Sequence, residues 1–190
     1  MPESTVRARR HATPESLGPL VRAVAPGHHR AGAGSHGLTH WARVLENGLR
    51  LAPATGANVT VVALFAIFHD ARRRSDSRDP GHGERGAQCA TELRAAWLDL
   101  TDAEMDLLYE ACARHTDGWL EADVTVQTCW DADRLDLPRA GVQVRPERLC
   151  TAAARGPAMI AWAAERSVAE FEPEFVAGWR GEGDVSRAAR

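Results

Sequence analysis

The sequence predicts an all-α fold. Apolar residues recur at helical spacing through Leu38, Trp41, Val44, Leu45, Leu49 and Leu51. A capping box, Thr101-Asp-Ala-Glu104, opens another helix. The segment 58–70 is apolar nearly all round, as a helix is when it lies at the centre of a bundle.

The elements follow in order. Residues 1–16 are charged and Pro-containing, and are expected to fray. A short helix over 16–25 is stopped by Pro26-Gly27, and a glycine-rich stretch, 31–35, leads into the helix that begins at Leu38 and ends at Pro53. The Val and Ile content of 58–70 would also suit a buried strand, but its length and helical neighbours favour helix. Residues 71–83 form a polar loop around the turn signal Asp79-Pro80-Gly81. Helices are then expected over 84–98, from Thr101 toward His115 with Gly118 as the stop, over 124–137 with Pro138 as the stop, and over 157–171 with Pro157 at the start. No repeat of fixed period is visible.

At 190 residues the chain is long enough for one domain with a core of its own. Three parts are expected: an N-terminal extension over 1–34, a helical domain over 35–155, and a C-terminal helix and polar tail over 156–190 packing on the same domain. The hydrophobic share of 44% and net charge of −3 are ordinary for a soluble protein and offer no basic field, so a nucleic-acid polymer is not an expected partner. All 23 basic residues are Arg, which a coding bias explains, yet any cation touching a substrate must then be a guanidinium. Cys89, Cys112, Cys129 and Cys150 form no CxxC and read as reduced thiols of a cytoplasmic protein. The N-terminus lacks the apolar segment of a secretory signal, and the longest apolar run, 61–68, is too short for a membrane span.

Among the eight histidines, His11, His28 and His29 lie in polar or turn-forming surroundings and read as solvated. The others sit with the helices. His40 lies one turn into the first long helix, His69-Asp70 closes the most apolar segment, and Asp133 lies in a later helical run. A buried carboxylate needs a partner or takes a proton. Arg72, Arg73 or Arg74 would serve Asp70, and a divalent cation would satisfy both His69 and Asp70, since neutral imidazole and carboxylate are its ordinary ligands.

The ordered set His36-Gly-Leu-Thr-His40-Trp-Ala-Arg-Val44, Phe68-His-Asp70, His82-Gly-Glu-Arg-Gly86, His115-Thr116 and Asp131-Ala-Asp133-Arg-Leu-Asp136 resembles the HD-domain superfamily over roughly residues 35–155. The resemblance implies a compact helical bundle with a metal site at its centre. His40, His69, Asp70 and Asp133 match the family's metal ligands, and His82 and His115 the histidines that hold a second ion in some members. His36 fits a supporting or capping role. The ion implied is Mn, Fe, Co, Ni or Zn, one or two per chain.

The implied activity is hydrolysis of a phosphate ester of a nucleotide or other small metabolite by water activated at the metal. Asp70 would take part in catalysis, bridging the ions if there are two, with Arg73 and Arg134 neutralising phosphate charge because each closely follows a ligand; Arg85 ranks third. The run Ala71-Arg-Arg-Arg-Ser-Asp76 departs from relatives that place Gly and Lys after the signature pair. Two other functions remain open: a di-iron oxygenase using all six ligands, and a non-catalytic nucleotide-binding module. Trp41, Trp97, Trp119 and Trp130 would stack on a base or lie in the core. Substrate, metal identity and oligomeric state are not legible.

Overall fold

The computed structural model describes residues 13–28 and 36–182, and its regular elements among these residues are all helical. They are α1 (Gly18–Val24), α2 (Leu38–Thr55), α3 (Val59–Phe68), α4 (His82–Trp97), α5 (Asp102–Arg114), α6 (Val124–Arg134), α7 (Ala152–Arg155), α8 (Pro157–Val168) and α9 (Val176–Arg180). Single 3-10 turns at Glu15–Leu17, Ala25–Gly27, Leu137–Ala140 and Pro146–Arg148 link them.

The bundle is built around α3. Asn58 caps it, its side chain accepting from the backbone N–H groups of Thr60 and Val61 at 3.0 and 3.2 Å. Every residue from Thr60 to Phe68 is buried, and α1, α2, α4, α5 and α6 all touch this helix. Surrounded in this way, it needs no polar face. Burial of Phe65 or Phe68 contributes about 1.5–3 kcal/mol each.

Several boundaries differ from the sequence reading. Pro53 does not stop α2. The helix continues to Thr55, and Gly56, at φ 76°, ends it with its N–H on the Ala52 carbonyl at 2.9 Å. A proline in the last turn removes one hydrogen bond, whereas the left-handed step requires glycine. The capping box at Thr101 and Glu104 forms in both directions. Helix α6 ends at Arg134, and Pro138 sits inside the following 3-10 turn. Helix α8 ends at Val168, short of 171.

Helices α7 and α9 have no counterpart in the sequence reading. Arg22 donates to the Gly178 carbonyl at 2.7 Å and the Trp179 indole to the Pro14 carbonyl at 2.7 Å, so α9 closes against the N-terminal elements. Leu17, Leu20, Val21 and Val24 join the main core, so the stretch read as an extension is part of the packed body. A second apolar cluster, including Leu135, Leu149, Met159 and Ala163, seats α8 against α2. Residues 1–12, 29–35 and 183–190, with His11, His29, the glycine-rich stretch and the polar tail, lie outside the described residues. Among the described residues no helix is long and apolar enough to cross a membrane. Cys89, Cys112 and Cys129 are buried free thiols.

Helix α4 starts at His82, two residues earlier than the sequence suggests, and two glycines let that first stretch come close. A Cβ on Gly83 would lie 2.3 Å from the Cys112 carbonyl oxygen, and one on Gly86 2.2 Å from that of Phe68. The start of α4 is thus pressed against the ends of α5 and α3. Gly86→Ala should therefore lower stability by about 1–3 kcal/mol through forced backbone displacement. Gly178→Ala, whose Cβ meets nothing within 4 Å, should be neutral or stabilising. Urea unfolding of both variants checks this; equal stability would contradict the close approach.

Candidate metal centre

Helix ends bring the site together. His40 lies in the first turn of α2, His69 caps the C-terminus of α3 with Asp70 just beyond, His82 opens α4, His115 caps α5, and Asp133 is the penultimate residue of α6. All four histidines and Asp70 are buried, while the Asp133 side chain keeps 16% exposure.

Each imidazole is oriented through Nδ1. His40 donates to Asp136 Oδ2 at 2.7 Å, His69 to the Phe65 carbonyl at 3.1 Å, His82 to the Asp79 carbonyl at 2.7 Å, and His115 to the Cys112 carbonyl at 2.7 Å. Carbonyl and carboxylate oxygens only accept, so the neutral ring carries its proton on Nδ1 and presents a lone pair at Nε2. The four Nε2 atoms point into one space. His40 and His69 face each other there at 3.1 Å, and His82 and His115 at 3.0 Å.

Two carboxylates complete the set. Asp70 Oδ2 lies 3.7 Å from both His40 Nε2 and His69 Nε2, and Asp133 Oδ1 lies 3.5 and 3.8 Å from the same atoms. On the other side, Asp70 Oδ1 lies 3.1 Å from His82 Nε2 and 3.7 Å from His115 Nε2. Asp70 therefore divides a first pocket (His40, His69, Asp133) from a second (His82, His115). Ligands about 2.1 Å from a metal stand about 3.0 Å apart at right angles and about 3.4 Å apart in a tetrahedron; the separations here begin at that spacing and extend a few tenths of an ångström beyond it, to 3.8 Å. Facing lone pairs beside carboxylates repel unless a cation lies between them, and the residues fit a divalent ion.

The electrostatics agree. Burial pushes the His69 pKa down to about 3, against the opposing pull of Asp70 and Asp133. Burial and the nearby Arg139 also lower that of His40, so both rings are neutral, the form that binds metal. Burial alone would raise Asp70, but His69, His115, His36 and His82 together hold it well below the usual carboxylate range. Asp133 is likewise low, burial being outweighed by His69, His40, His115 and Arg139. His115 moves the other way: burial opposes its charge, yet Asp70 and Asp133 raise its pKa.

No protein-family model matches this sequence, and no curated protein does. Among solved structures, the fold is similar to that of a predicted HD superfamily hydrolase from an uncultured Thermotogales bacterium, with 25% identity, a TM-score of 0.62, and coverage of 84% of this chain and 91% of that one. The chain belongs to the HD-domain superfamily. Its signature pair is His69-Asp70, at the end of the central helix.

Of the residues that the sequence nominates, the HD fold gathers His40, His69, Asp70, His82, His115 and Asp133. Arg73 joins them, with Nη1 2.9 Å from His82 Nε2 and 3.5 Å from Asp70 Oδ1. Arg134 does not. Successive helical residues project about 100° apart, so with Asp133 facing inward Arg134 points aside. Its guanidinium donates to the Trp119 and Arg148 carbonyls at 2.7 and 3.0 Å. Arg85 is also used elsewhere, holding the 72–80 loop through the Arg72 carbonyl and Asp79.

Arg139, which sequence reasoning missed, takes the place expected of Arg134. Its Nη2 lies 3.3 Å from His40 Nε2 and 3.4 Å from His36 Nδ1, while Nη1 donates to the Asp136 carbonyl at 2.6 Å. Asp136 and Arg43 were also missed as site residues. Arg43 grips Asp136 with two hydrogen bonds, 2.7 and 3.1 Å, and Asp136 in turn orients His40. A signal existed in their spacing, since each stands three residues after a ligand. His36 makes no helix cap; its Nδ1 lies 2.9 Å from Asp70 Oδ2.

His28, read as solvated, is 5% exposed and meets the Trp41 ring edge-on at 5.8 Å. Trp41 and Trp130 are wholly buried, so neither can stack on a base. Trp119 is 47% exposed and lies under the Arg114 guanidinium. Asp136→Asn should weaken divalent-metal binding about 10–100-fold by loosening His40, measured by competition with a chromogenic chelator. Unchanged affinity would show that His40 needs no such support.

Proposed function

We propose that the chain is a metal-dependent hydrolase of a small phosphorylated metabolite, a nucleotide or a simple phosphate ester. The observation that carries this is the convergence of Nε2 lone pairs from His40 and His69 with Asp70 and Asp133, flanked by the guanidiniums of Arg73 and Arg139. Support comes also from the similarity to a solved structure described as a predicted HD superfamily hydrolase.

On this reading His40, His69, Asp70 and Asp133 hold the ion in the first pocket. When bound, a divalent ion lowers the pKa of water toward neutrality and draws charge from a phosphoryl oxygen. The protein's own groups divide the remaining work. Asp136, fixed by Arg43, keeps the His40 proton on Nδ1 and so keeps Nε2 available. Arg139 stands beside the partly exposed first pocket, where a fork of N–H donors suits phosphate oxygens. The chain has no lysine for that role. Asp70 and Asp133, both ionised, supply fixed negative charge against which the ion is held.

The test is phosphate release from a panel of nucleotides and sugar phosphates by protein loaded with Mn, Co, Ni, Fe or Zn. At least one substrate should turn over, with activity lost on chelation and reduced at least 100-fold in Asp70→Ala. Arg139→Ala should lower kcat/KM about 10–100-fold while the metal content holds. Dioxygen consumption by an iron-loaded sample without phosphate release would favour the oxygenase alternative. Nucleotide binding without turnover under every metal would favour the binding module.

A further inference from the structure

The second pocket differs from the first in already containing a positive charge. We propose that Arg73 is its resident cation, so that the centre holds one divalent ion, in the first pocket. The inference rests on the reading of the cluster as a metal site and concerns how many ions it takes.

An imidazole nitrogen has a single lone pair, directed along one line in the ring plane. The Nδ1 proton of His82 is committed to the Asp79 carbonyl at 2.7 Å, so Nε2 is the acceptor, and Arg73 Nη1 donates to it at 2.9 Å. A metal would need the same lone pair at about 2.1 Å. The two cannot share it.

Arg73 is also held in place. Its Nε donates to the Ser75 carbonyl at 3.2 Å and Nη2 to the Ser77 carbonyl at 3.0 Å, so every guanidinium nitrogen is engaged. The residue is 7% exposed, and the 70–82 loop wraps its head. Displacing it would strand a buried charge as well as break these bonds.

The first pocket lacks such an occupant. Arg139 Nη2 is shared between His40 Nε2 at 3.3 Å and His36 Nδ1 at 3.4 Å, both beyond the usual hydrogen-bond range, whereas the Arg73 contact lies within it. Charge points the same way. Asp136 is already matched by Arg43, with Arg139 3.5 Å from it as well, leaving Asp70 and Asp133 as the carboxylates that face the ion. One divalent ion beside two guanidiniums already exceeds the charge of these two carboxylates, so a second would add to an excess of positive charge and meet Arg73 at close range across Asp70 Oδ1.

Metal stoichiometry tests this. The parent protein, Arg73→Ala and Arg73→Met are stripped, saturated with Mn and desalted, and Mn per chain is measured by elemental analysis, with helical content checked by circular dichroism. We expect one equivalent in the parent and two in a folded Arg73 variant, where the electron paramagnetic resonance spectrum should show a spin-coupled pair. Two equivalents in the parent, or one in both folded variants, would overturn the role of Arg73 and leave the metal site standing. No bound Mn in the parent would remove the site itself.

Discussion

Four imidazole lone pairs and two carboxylates turned toward each other inside a helical bundle are unstable without positive charge, and much of this structure is arranged around that demand. The His40–His69 contact brings unprotonated nitrogens within about a hydrogen-bond length with no proton to share, and His82 and His115 face each other at a similar distance. The outward nitrogens are pinned, three on backbone carbonyls and one on Asp136, so the rings cannot turn the lone pairs away. Those carbonyls belong to Phe65, Asp79 and Cys112, in or beside α3, α4 and α5. The fold's helix ends thus set the tautomers of its site.

Cations then enter at three levels. Arg43 sits behind the site and neutralises Asp136, which lets that carboxylate orient His40 without adding net negative charge. Arg73 and Arg139 stand at the two sides, the first sealed under a loop and the second beside the partly exposed Asp133. In a chain with no lysine, guanidinium groups fill every such position. Their planar forks allow one head to hold a carbonyl and face a ligand at once, as Arg139 does between the Asp136 carbonyl and His40.

The residues at helix ends were legible because apolar periodicity locates the helices, and polar residues closing greasy segments need an explanation. That logic reaches His40, His69, Asp70 and Asp133, and the ordered family pattern reaches His82 and His115. It fails where chain direction beyond a helix matters. Arg134 follows Asp133 in sequence but projects about 100° around the helix from it, whereas Arg139, in the Leu137–Ala140 turn, reaches the site with its guanidinium. His28 could not be placed, since its burial depends on Trp41 from a different helix. Nothing in the sequence marks the packing role of Gly83 and Gly86, and only the packed structure shows that their missing Cβ atoms admit α4 to the centre. Helix α9 has five residues, too few for a periodic signal.

The central claim is that Nε2 of His40 and His69, with Asp70 and Asp133, surround one position made for a divalent ion. Anomalous diffraction from crystals grown with Mn, recorded at an energy where Mn scatters strongly, tests it most directly. We expect an anomalous peak at about 2.1 Å from both Nε2 atoms and within bonding distance of both carboxylates. A peak elsewhere, ligation through Nδ1, or no peak at saturating Mn would contradict it.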